Sequence, residues 1–254
     1  MLSGNNVLSP ASQWPTIAKI GSMTVDTDAM SQGRNVMRVI VIGASHAGIA
    51  FVDAMRRHGF NGDLTMIDKV AGLPLERPPL SKTFLLAAEE KDDSFAFRPP
   101  DWFADKQITL MAGHEVVGLD EKSHHLTLDD GTALAFDRLV LATGATPREL
   151  PGTAGMRGVF TLRDPSDARR IRAAARSARS ALVIGGGYIG LEVAASLTKS
   201  GKAVTVIEAA PRLLARVASP PVSAFFKARH GDEGVDVILS LIHISEPTRQ
   251  AERA

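Results

Sequence analysis

Two glycine-rich turns of the same design lie in this chain of 254 residues. The first contains Gly43 and Gly48 and the second contains Gly185 and Gly190, so each glycine of the second turn follows its counterpart by 142 positions (185 against 43, 190 against 48). A glycine turn that opens a helix presents free backbone N–H groups and the positive end of the helix dipole, which together bind phosphate. The repeat therefore predicts two phosphate sites in one chain.

Each turn lies between a short apolar strand and a helix, and the strand after that helix ends in an acid, Asp68 in the first copy and Glu208 in the second. In this arrangement the glycines allow a tight turn and close packing of helix on strand, and the acid accepts hydrogen bonds from ribose hydroxyls. Each unit therefore predicts a bound dinucleotide. The candidate binding residues in the two turns are Gly43, Ser45, His46, Ala47 and Gly48, and Gly185, Gly187, Tyr188, Ile189 and Gly190.

The two copies differ in ways that affect the ligand. Ser45 replaces the middle glycine of the first turn, so that site is either slightly wider or uses the hydroxyl as a phosphate donor. In the second copy Glu208 would repel a 2′-phosphate, and the next three residues carry no basic side chain, although Arg212 is close. The second copy therefore favours NADH over NADPH.

The composition excludes several classes of function. A net charge of +1 gives no electrostatic footprint for nucleic acid, so no nucleic-acid partner is expected. The chain contains no cysteine, which excludes a redox-active thiol pair and thiolate metal sites, and its histidines are scattered, so no metal site is expected. No apolar run is as long as a membrane span and no signal peptide is evident, so we expect a cytoplasmic protein without membrane contact.

Changes of pattern divide the chain into segments. Residues 1–36 are rich in Ser, Asn, Gly and Thr and predict a disordered leader or a start site assigned too far upstream, because Met37 directly precedes the first strand. Residues 37–149 hold the first unit, which includes a proline-stiffened loop at residues 73–82 that opens a short helix. Alternating apolar residues around Asp130-Gly131 predict a β-hairpin.

The second unit occupies residues 150–238. An apolar strand that ends in a Gly/Pro turn precedes it, and a basic helix over residues 165–179 leads into its first strand. The helix after the second glycine turn is predicted to pack Ile189, Val193 and Leu197 against the sheet. The chain therefore predicts an α/β fold with two Rossmann-like dinucleotide-binding domains.

Several longer motifs resemble those of the ferredoxin and rubredoxin reductases, which are FAD-dependent members of the pyridine nucleotide-disulphide oxidoreductase superfamily and supply electrons to Rieske dioxygenase and cytochrome P450 systems. The motifs are Arg-Pro-Pro-Leu-Ser-Lys at residues 77–82, Ala-Thr-Gly at 142–144, Gly-Gly-Gly-Tyr-Ile-Gly at 185–190 with the Leu-Glu-Val-Ala-Ala that follows, and the stretch 212–223. The resemblance extends from Met37 to about Ile238. It implies an FAD-binding domain into which an NAD(H)-binding domain is inserted.

The resemblance also implies roles for single residues. Asp68 would hold the adenosine ribose of FAD, although counting back from the proline loop places the usual acid of the family at Lys69 or Val70. Arg77 and Lys82 would approach the flavin. The segment expected under the arm between the pyrophosphate and the flavin contains Thr143 and Gly144, with Ala142 and Arg148 completing the FAD-binding set.

In the second unit the resemblance places Ile189 and Glu192 near the nicotinamide. Lys82 and Glu192 are the candidate catalytic residues, because a lysine beside the flavin would stabilise the negative charge that arrives on reduction. No general acid and no nucleophile are required for this chemistry, since the cofactors carry it.

The end of the chain departs from the pattern. Residues 239–249 match the in-frame translation of a transposase adapter used in sequencing libraries, so residues 239–254 are expected to be an artefactual tail joined to a truncated gene; a genuine divergent tail is the alternative. Both domains would then be incomplete and their C-terminal part missing.

Three functions remain open at this point. The first is an FAD-containing, NADH-dependent reductase that passes electrons to a ferredoxin, a Rieske-type ferredoxin or a rubredoxin. The second is an NADH oxidase-like flavoprotein of the same superfamily. The third is an inactive nucleotide-binding fragment. The truncated chain as written is itself expected to be inactive, because incomplete domains would leave the flavin partly uncovered.

Overall fold

The computed structural model describes residues 36–240; most of the expected leader, and the expected tail from residue 241 onward, lie outside the described residues. The strands are β1 (Arg38–Ile42), β2 (Asp63–Asp68), β3 (Ile108–Ala112), β4 (Val116–Asp120), β5 (His125–Leu128), β6 (Ala133–Ala135), β7 (Arg138–Leu141), β8 (Ser180–Ile184), β9 (Ala203–Glu208) and β10 (Val235–Leu239). The helices are α1 (His46–Arg57), α2 (Thr83–Leu86), α3 (Pro100–Asp105), α4 (Pro165–Ser177), α5 (Tyr188–Lys199) and α6 (Pro220–Asp232), with 3₁₀ turns at Pro78–Ser81 and Glu89–Phe95. None of these helices is long and apolar enough to cross a bilayer.

The first unit is built on a parallel sheet of order β3-β2-β1-β7. Strand β1 is buried on both faces, because its apolar side chains point alternately to the two sides of the sheet and both sides are covered. Val39 and Val41 pack with Ile49 and Val52 of α1, whereas Ile40 packs on the opposite face. The central strand thereby carries the first glycine turn at its carboxyl end.

An antiparallel meander of order β4-β5-β6 covers that opposite face. Leu126, Leu128 and Phe136 of the meander form a core cluster with Ile40 and Ile67. The hairpin predicted around the Asp-Gly pair is confirmed, since Gly131 adopts φ +85° and donates its N–H to the Leu128 carbonyl at 3.0 Å.

The second unit is built on a parallel sheet of order β10-β9-β8. Helix α5 packs Leu191, Ala194 and Leu197 against Val204 and Val206 of β9. The other face of this sheet is open, because within residues 36–240 no meander covers it. Leu182 is consequently 57% exposed, whereas its counterpart Ile40 in the first unit is 4% exposed.

Two expectations for the second unit need adjustment. Val193 and Leu197 pack in the core as predicted, but Ile189 does not and is exposed, because it lies in the first turn of α5, beside the glycine turn rather than over the sheet. The predicted basic helix ends at Ser177, before the start of β8. Its beginning is fixed by a capping box in which Asp164 accepts from the Asp167 N–H at 3.0 Å and Pro165 occupies the first turn.

The proline-rich loop connects the two units. It forms the 3₁₀ turn Pro78–Ser81 and continues into α2. From this segment Leu85 packs into the core of the second unit, while Leu80 and Phe84 pack with Ala168 of α4. Side chains of this loop therefore pack in the cores of both units. The predicted α/β fold with two dinucleotide-binding units is confirmed.

Candidate functional site

The two glycine turns have the same geometry. Gly43 and Gly185 have φ of +105° and +108°, a region that favours glycine, and each donates its N–H across to the neighbouring strand, to Ile67 O and Ile207 O at 2.7 Å. Gly48 in α1 lies against this turn so closely that a Cβ there would be 2.0 Å from the Gly43 carbonyl oxygen. The same distance separates a Cβ at Gly190 from the Gly185 oxygen.

The two acids are bound to these turns in the same way. Asp68 Oδ2 accepts from the Ala44 N–H at 2.7 Å and Oδ1 accepts from the Val70 N–H at 2.9 Å. Glu208 Oε2 accepts from the Gly186 N–H at 2.7 Å and Oε1 accepts from the Ala210 N–H at 2.8 Å. Each oxygen keeps a further lone pair, so both carboxylates retain capacity for ribose hydroxyls.

The substitution at Ser45 fits the turn without disturbing it. A Cβ at the equivalent Gly187 would meet no atom within 4 Å, so the protein itself leaves room for a side chain at this position. Ser45 Oγ lies 3.5 Å from Nδ1 of His46, whose ring packs edge-on against Phe97 at 4.4 Å. The turn therefore folds with or without a side chain at its middle position.

A cleft of about 450 Å³ opens beside the first turn, a size typical of small-molecule sites. Its wall includes Gly43, Asp68, Arg77, Thr143 and Gly144 from the predicted set, together with Arg163, which the sequence did not single out. Gly144 has φ +73°, and a Cβ there would lie 2.9 Å from Arg163 Nη2 and 3.5 Å from Arg77 Nη1.

Arg77 and Arg163 place two neighbouring guanidinium groups on the wall of this cleft, which also carries the carboxylates of Asp68 and Asp164. Burial and the neighbouring charge of Arg163 lower the pKa of the Arg77 guanidinium, and within residues 36–240 neither guanidinium forms a salt bridge with a carboxylate. Two adjacent guanidinium groups could bind phosphate oxygens, because guanidinium groups bind such oxygens in pairs. Arg163 precedes the capping box of α4, and nothing in its sequence context distinguishes it from the other arginines of that segment.

The two candidate catalytic residues meet at the boundary between the units. Lys82 Nζ lies 2.8 Å from Glu192 Oε2, although the residues are 110 positions apart (192 against 82). Burial raises the pKa of Glu192, but the hydrogen bonds from Lys82 and Ser81 outweigh that effect and hold its pKa below the ordinary value. Glu192 is therefore an anion that faces a cation across the two units.

The remaining predicted residues include Ala142, which also lines the cleft, and others that are exposed beside the two turns. Ala142 donates its N–H to the Ile42 carbonyl at 2.8 Å and so holds the end of β7 against the first turn. Arg148 is exposed and lies outside the wall of the cleft, between Pro147 and Glu149, which belong to it. Tyr188 and Ile189 are exposed at the start of α5, beside the second turn.

One group of possible metal ligands lies near the rim of the cleft. His114 Nδ1 is 3.8 Å from Asp129 Oδ1 and 3.7 Å from Asp130 Oδ2. Both aspartates already accept backbone N–H groups, Asp129 from Glu115 at 3.1 Å and Asp130 from Thr132 at 2.8 Å. These contacts hold the backbone at and beside the hairpin turn, so they explain why the two carboxylates lie here.

Comparison with known proteins gives consistent relatives. The model of the pyridine nucleotide-disulphide oxidoreductase family matches residues 37–241. The chain is 41% identical over 205 residues to rhodocoxin reductase of Rhodococcus erythropolis, covering 80% of this chain and 48% of that protein. It is 39% identical over 203 residues to putidaredoxin reductase of Pseudomonas putida, covering 78% and 48%.

Solved structures agree. The crystal structure of the ferredoxin reductase for the CYP199A2 system from Rhodopseudomonas palustris has a TM-score of 0.76 at 36% identity, covering 80% of this chain and 50% of that one. A water-forming NADH oxidase from Lactobacillus brevis shares the fold, with a TM-score of 0.71 at 22% identity. The chain spans about half the length of the curated relatives it matches. With the family match covering most of its length, the chain belongs to the pyridine nucleotide-disulphide oxidoreductase family.

Proposed function

We propose that this chain is the nucleotide-binding part of an FAD-containing, NADH-dependent reductase that passes electrons to a ferredoxin or a rubredoxin. The observation that carries the proposal is the Lys82–Glu192 ion pair, which joins the loop of the first unit to the helix of the second. Members of this family use a flavin and a pyridine nucleotide, and an ion pair that joins the two units suits transfer between two such groups.

In this proposal FAD binds to the first unit. Asp68 would accept the adenosine ribose hydroxyls, the N–H groups of the turn at Gly43 to Gly48 would face the diphosphate, and Arg77 and Arg163 would neutralise it. When bound, FAD would supply the change from two-electron to one-electron transfer. Lys82 would hold a positive charge at the boundary of the units, where negative charge develops on reduction.

NADH, not NADPH, is the proposed reductant. Glu208 would face the adenosine ribose of the second unit, where a 2′-phosphate would meet a carboxylate. The neighbouring Arg212 cannot compensate, because its guanidinium donates to the carbonyls of Ala218 and Ala215 at 2.6 and 2.8 Å and to Ser223 Oγ at 2.8 Å. Arg212, the first base after Glu208, is thereby committed to holding its own loop.

The proposed electron acceptor is an iron–sulfur or rubredoxin-type carrier. The relatives are named as reductases of rhodocoxin, putidaredoxin and rubredoxin, and one solved relative is a covalent complex of putidaredoxin reductase with putidaredoxin. We propose a cytoplasmic location, because the reaction consumes NADH. The sequence contains no cysteine, so disulphide reduction by a thiol pair of this chain is excluded.

A purified preparation of the 254-residue chain tests the proposal. A yellow protein that reduces cytochrome c with NADH only when a ferredoxin is added supports it. Rapid oxygen consumption without ferredoxin would instead favour an oxidase, whose fold the chain shares. A colourless protein that neither binds added FAD nor oxidises NADH would reduce the chain to an inactive nucleotide-binding fragment and overturn the proposal for this polypeptide.

A further inference from the structure

Two serines reinforce the ion pair between the units. Ser81 Oγ donates to Glu192 Oε2 at 2.5 Å, the same oxygen that Lys82 Nζ contacts at 2.8 Å. Ser196, one helical turn after Glu192 on α5, donates its Oγ to the Ser81 carbonyl at 2.7 Å. The 3₁₀ turn and α5 are therefore joined by two successive hydrogen bonds that run through Ser81.

The serines differ from the ion pair in their burial. Ser81 is 5% exposed and Ser196 is 4% exposed, whereas the Lys82 side chain is half exposed. An ion pair open to water contributes little and leaves a long side chain free to move. A buried hydroxyl is costly to leave unpaired, so it keeps its hydrogen bond and thereby fixes the orientation of its partner.

We propose that Ser81 and Ser196 are positioning residues that hold Glu192 as a fixed anion against Lys82 where the two nucleotide-binding units meet. Ser196 holds the backbone of Ser81, and Ser81 holds the carboxylate of Glu192. Within the described residues, Lys82 is the charged group that contacts Glu192. The Ser81 hydroxyl is the second donor that keeps this carboxylate ionised. The consequence for electron transfer rests on the proposed function, but the hydrogen-bond arrangement does not.

The first test measures the ionisation of Glu192 directly. Carboxyl ¹³C shifts of glutamate-labelled protein are followed against pH in the wild type and in Ser81→Ala, Ser81→Thr, Ser196→Ala and the matched control Ser177→Ala, whose hydroxyl lies exposed at the end of α4. Ser81→Ala should lower the acid dissociation constant of Glu192 about threefold or more, and Ser196→Ala should lower it in the same direction. Ser81→Thr, which keeps the hydroxyl, should restore the wild-type value, and Ser177→Ala should not change it.

The proposal is overturned if Glu192 has the same acid dissociation constant in Ser81→Ala as in the control Ser177→Ala. If Ser81→Ala does not fold, Ser81→Cys, which retains the volume and only a weak donor, replaces it with the same expected direction. This measurement needs no cofactor, so its outcome is independent of the proposed function.

The second test uses FAD-loaded protein and separates binding from transfer. Ser81→Ala should slow flavin reduction by NADH about tenfold and leave the NADH dissociation constant within about twofold of the wild type. An altered Glu192 titration with an unchanged reduction rate would overturn the positioning role. Loaded wild-type protein that NADH does not reduce would overturn the proposed function instead, while the titration would still decide whether the serines hold Glu192.

Discussion

Asp68 and Glu208 perform the same structural task in the two units: each carboxylate accepts the N–H at the second position of its glycine turn at 2.7 Å. The donors, Ala44 and Gly186, are themselves 142 positions apart (186 against 44), so the repeat extends to single hydrogen bonds. Each acid thus stabilises its own turn and, in the proposed function, would also face the ribose. A change at either acid should affect both turn and ligand.

Glu208→Ala should reduce the preference for NADH over NADPH by about 1 to 2 kcal/mol, since it removes a charge-assisted acceptor and the repulsion of a 2′-phosphate. The dissociation constants of both nucleotides, measured by fluorescence titration, provide the test. Asp232→Ala, an exposed acid at the end of α6, is the control and should leave the ratio unchanged. Equal affinity of the unmodified chain for both nucleotides would contradict the assignment of the second unit to NADH.

Gly190→Ala and Gly187→Ala should have different effects although the two glycines lie three positions apart. A Cβ at Gly190 would be 2.0 Å from the Gly185 oxygen, so the turn must open and the free energy of unfolding should fall by about 1 to 3 kcal/mol. A Cβ at Gly187 meets nothing within 4 Å, so stability should change by less than about 0.5 kcal/mol while NADH binds more weakly. Urea denaturation and NADH titration of the pair measure both effects, and similar destabilisation by the two variants would be inconsistent with this geometry.

Asp92→Asn should lower the free energy of unfolding by about 3 kcal/mol, because it removes the charged partner of a buried ion pair at the boundary between the units. Asp92 is 8% exposed and contacts Arg172, itself 6% exposed, at 3.0 Å and Arg169 at 2.7 Å. Urea denaturation measures the loss, with the exposed neighbour Asp93→Asn as a control expected to stay within about 0.5 kcal/mol. A loss of the same size in both variants would argue against a specific role for the buried pair.

The same cluster predicts a pH dependence. Burial raises the pKa of Asp92, but the hydrogen bonds and charges of Arg172 and Arg169 outweigh it, so its pKa in the folded chain lies below the ordinary carboxyl value of about 3.9. A depressed pKa stabilises the fold above that ordinary value, and the contribution is lost as pH falls through the folded pKa. The difference in stability between the wild type and Asp92→Asn should therefore be constant at neutral pH and shrink below about pH 4.

Arg163→Gln should weaken FAD binding about tenfold if the neighbouring Arg77 and Arg163 bind its diphosphate, as proposed. Binding of added FAD, followed by quenching of flavin fluorescence, measures the change. The control is Arg138→Gln, an exposed arginine whose guanidinium donates to the Asp137 carbonyl away from the cleft. Unchanged FAD affinity in Arg163→Gln would remove this residue from the proposed site.

The sequence was sufficient to predict the duplicated units because glycines at fixed spacing report backbone geometry directly. The φ values of Gly43 and Gly185 and the contacts of Gly48 and Gly190 are properties that few other residues could satisfy. The hairpin at Asp130-Gly131 was predictable for the same local reason.

Contacts between distant segments could not be predicted from spacing. Lys82 and Glu192 were each identified, but their ion pair depends on how the proline loop packs against α5. Arg163 was missed because its role arises only when it lies beside Arg77 and Gly144 in space. The helical period predicts Ile189 in the core, but a period does not reveal where a helix extends beyond the edge of its sheet, and Ile189 is exposed.

The strand orders of the two sheets have a consequence for the order in which the units fold. In the first sheet β1 pairs with β7, and Arg38 contacts Asp137 across 99 positions of the chain, whereas β8, β9 and β10 pair in chain order within about 60 residues. Closing the longer loop loses more conformational entropy before its strands form stabilising contacts. The second unit should therefore form first, and Leu85 would then dock the loop of the first unit onto a core that already exists.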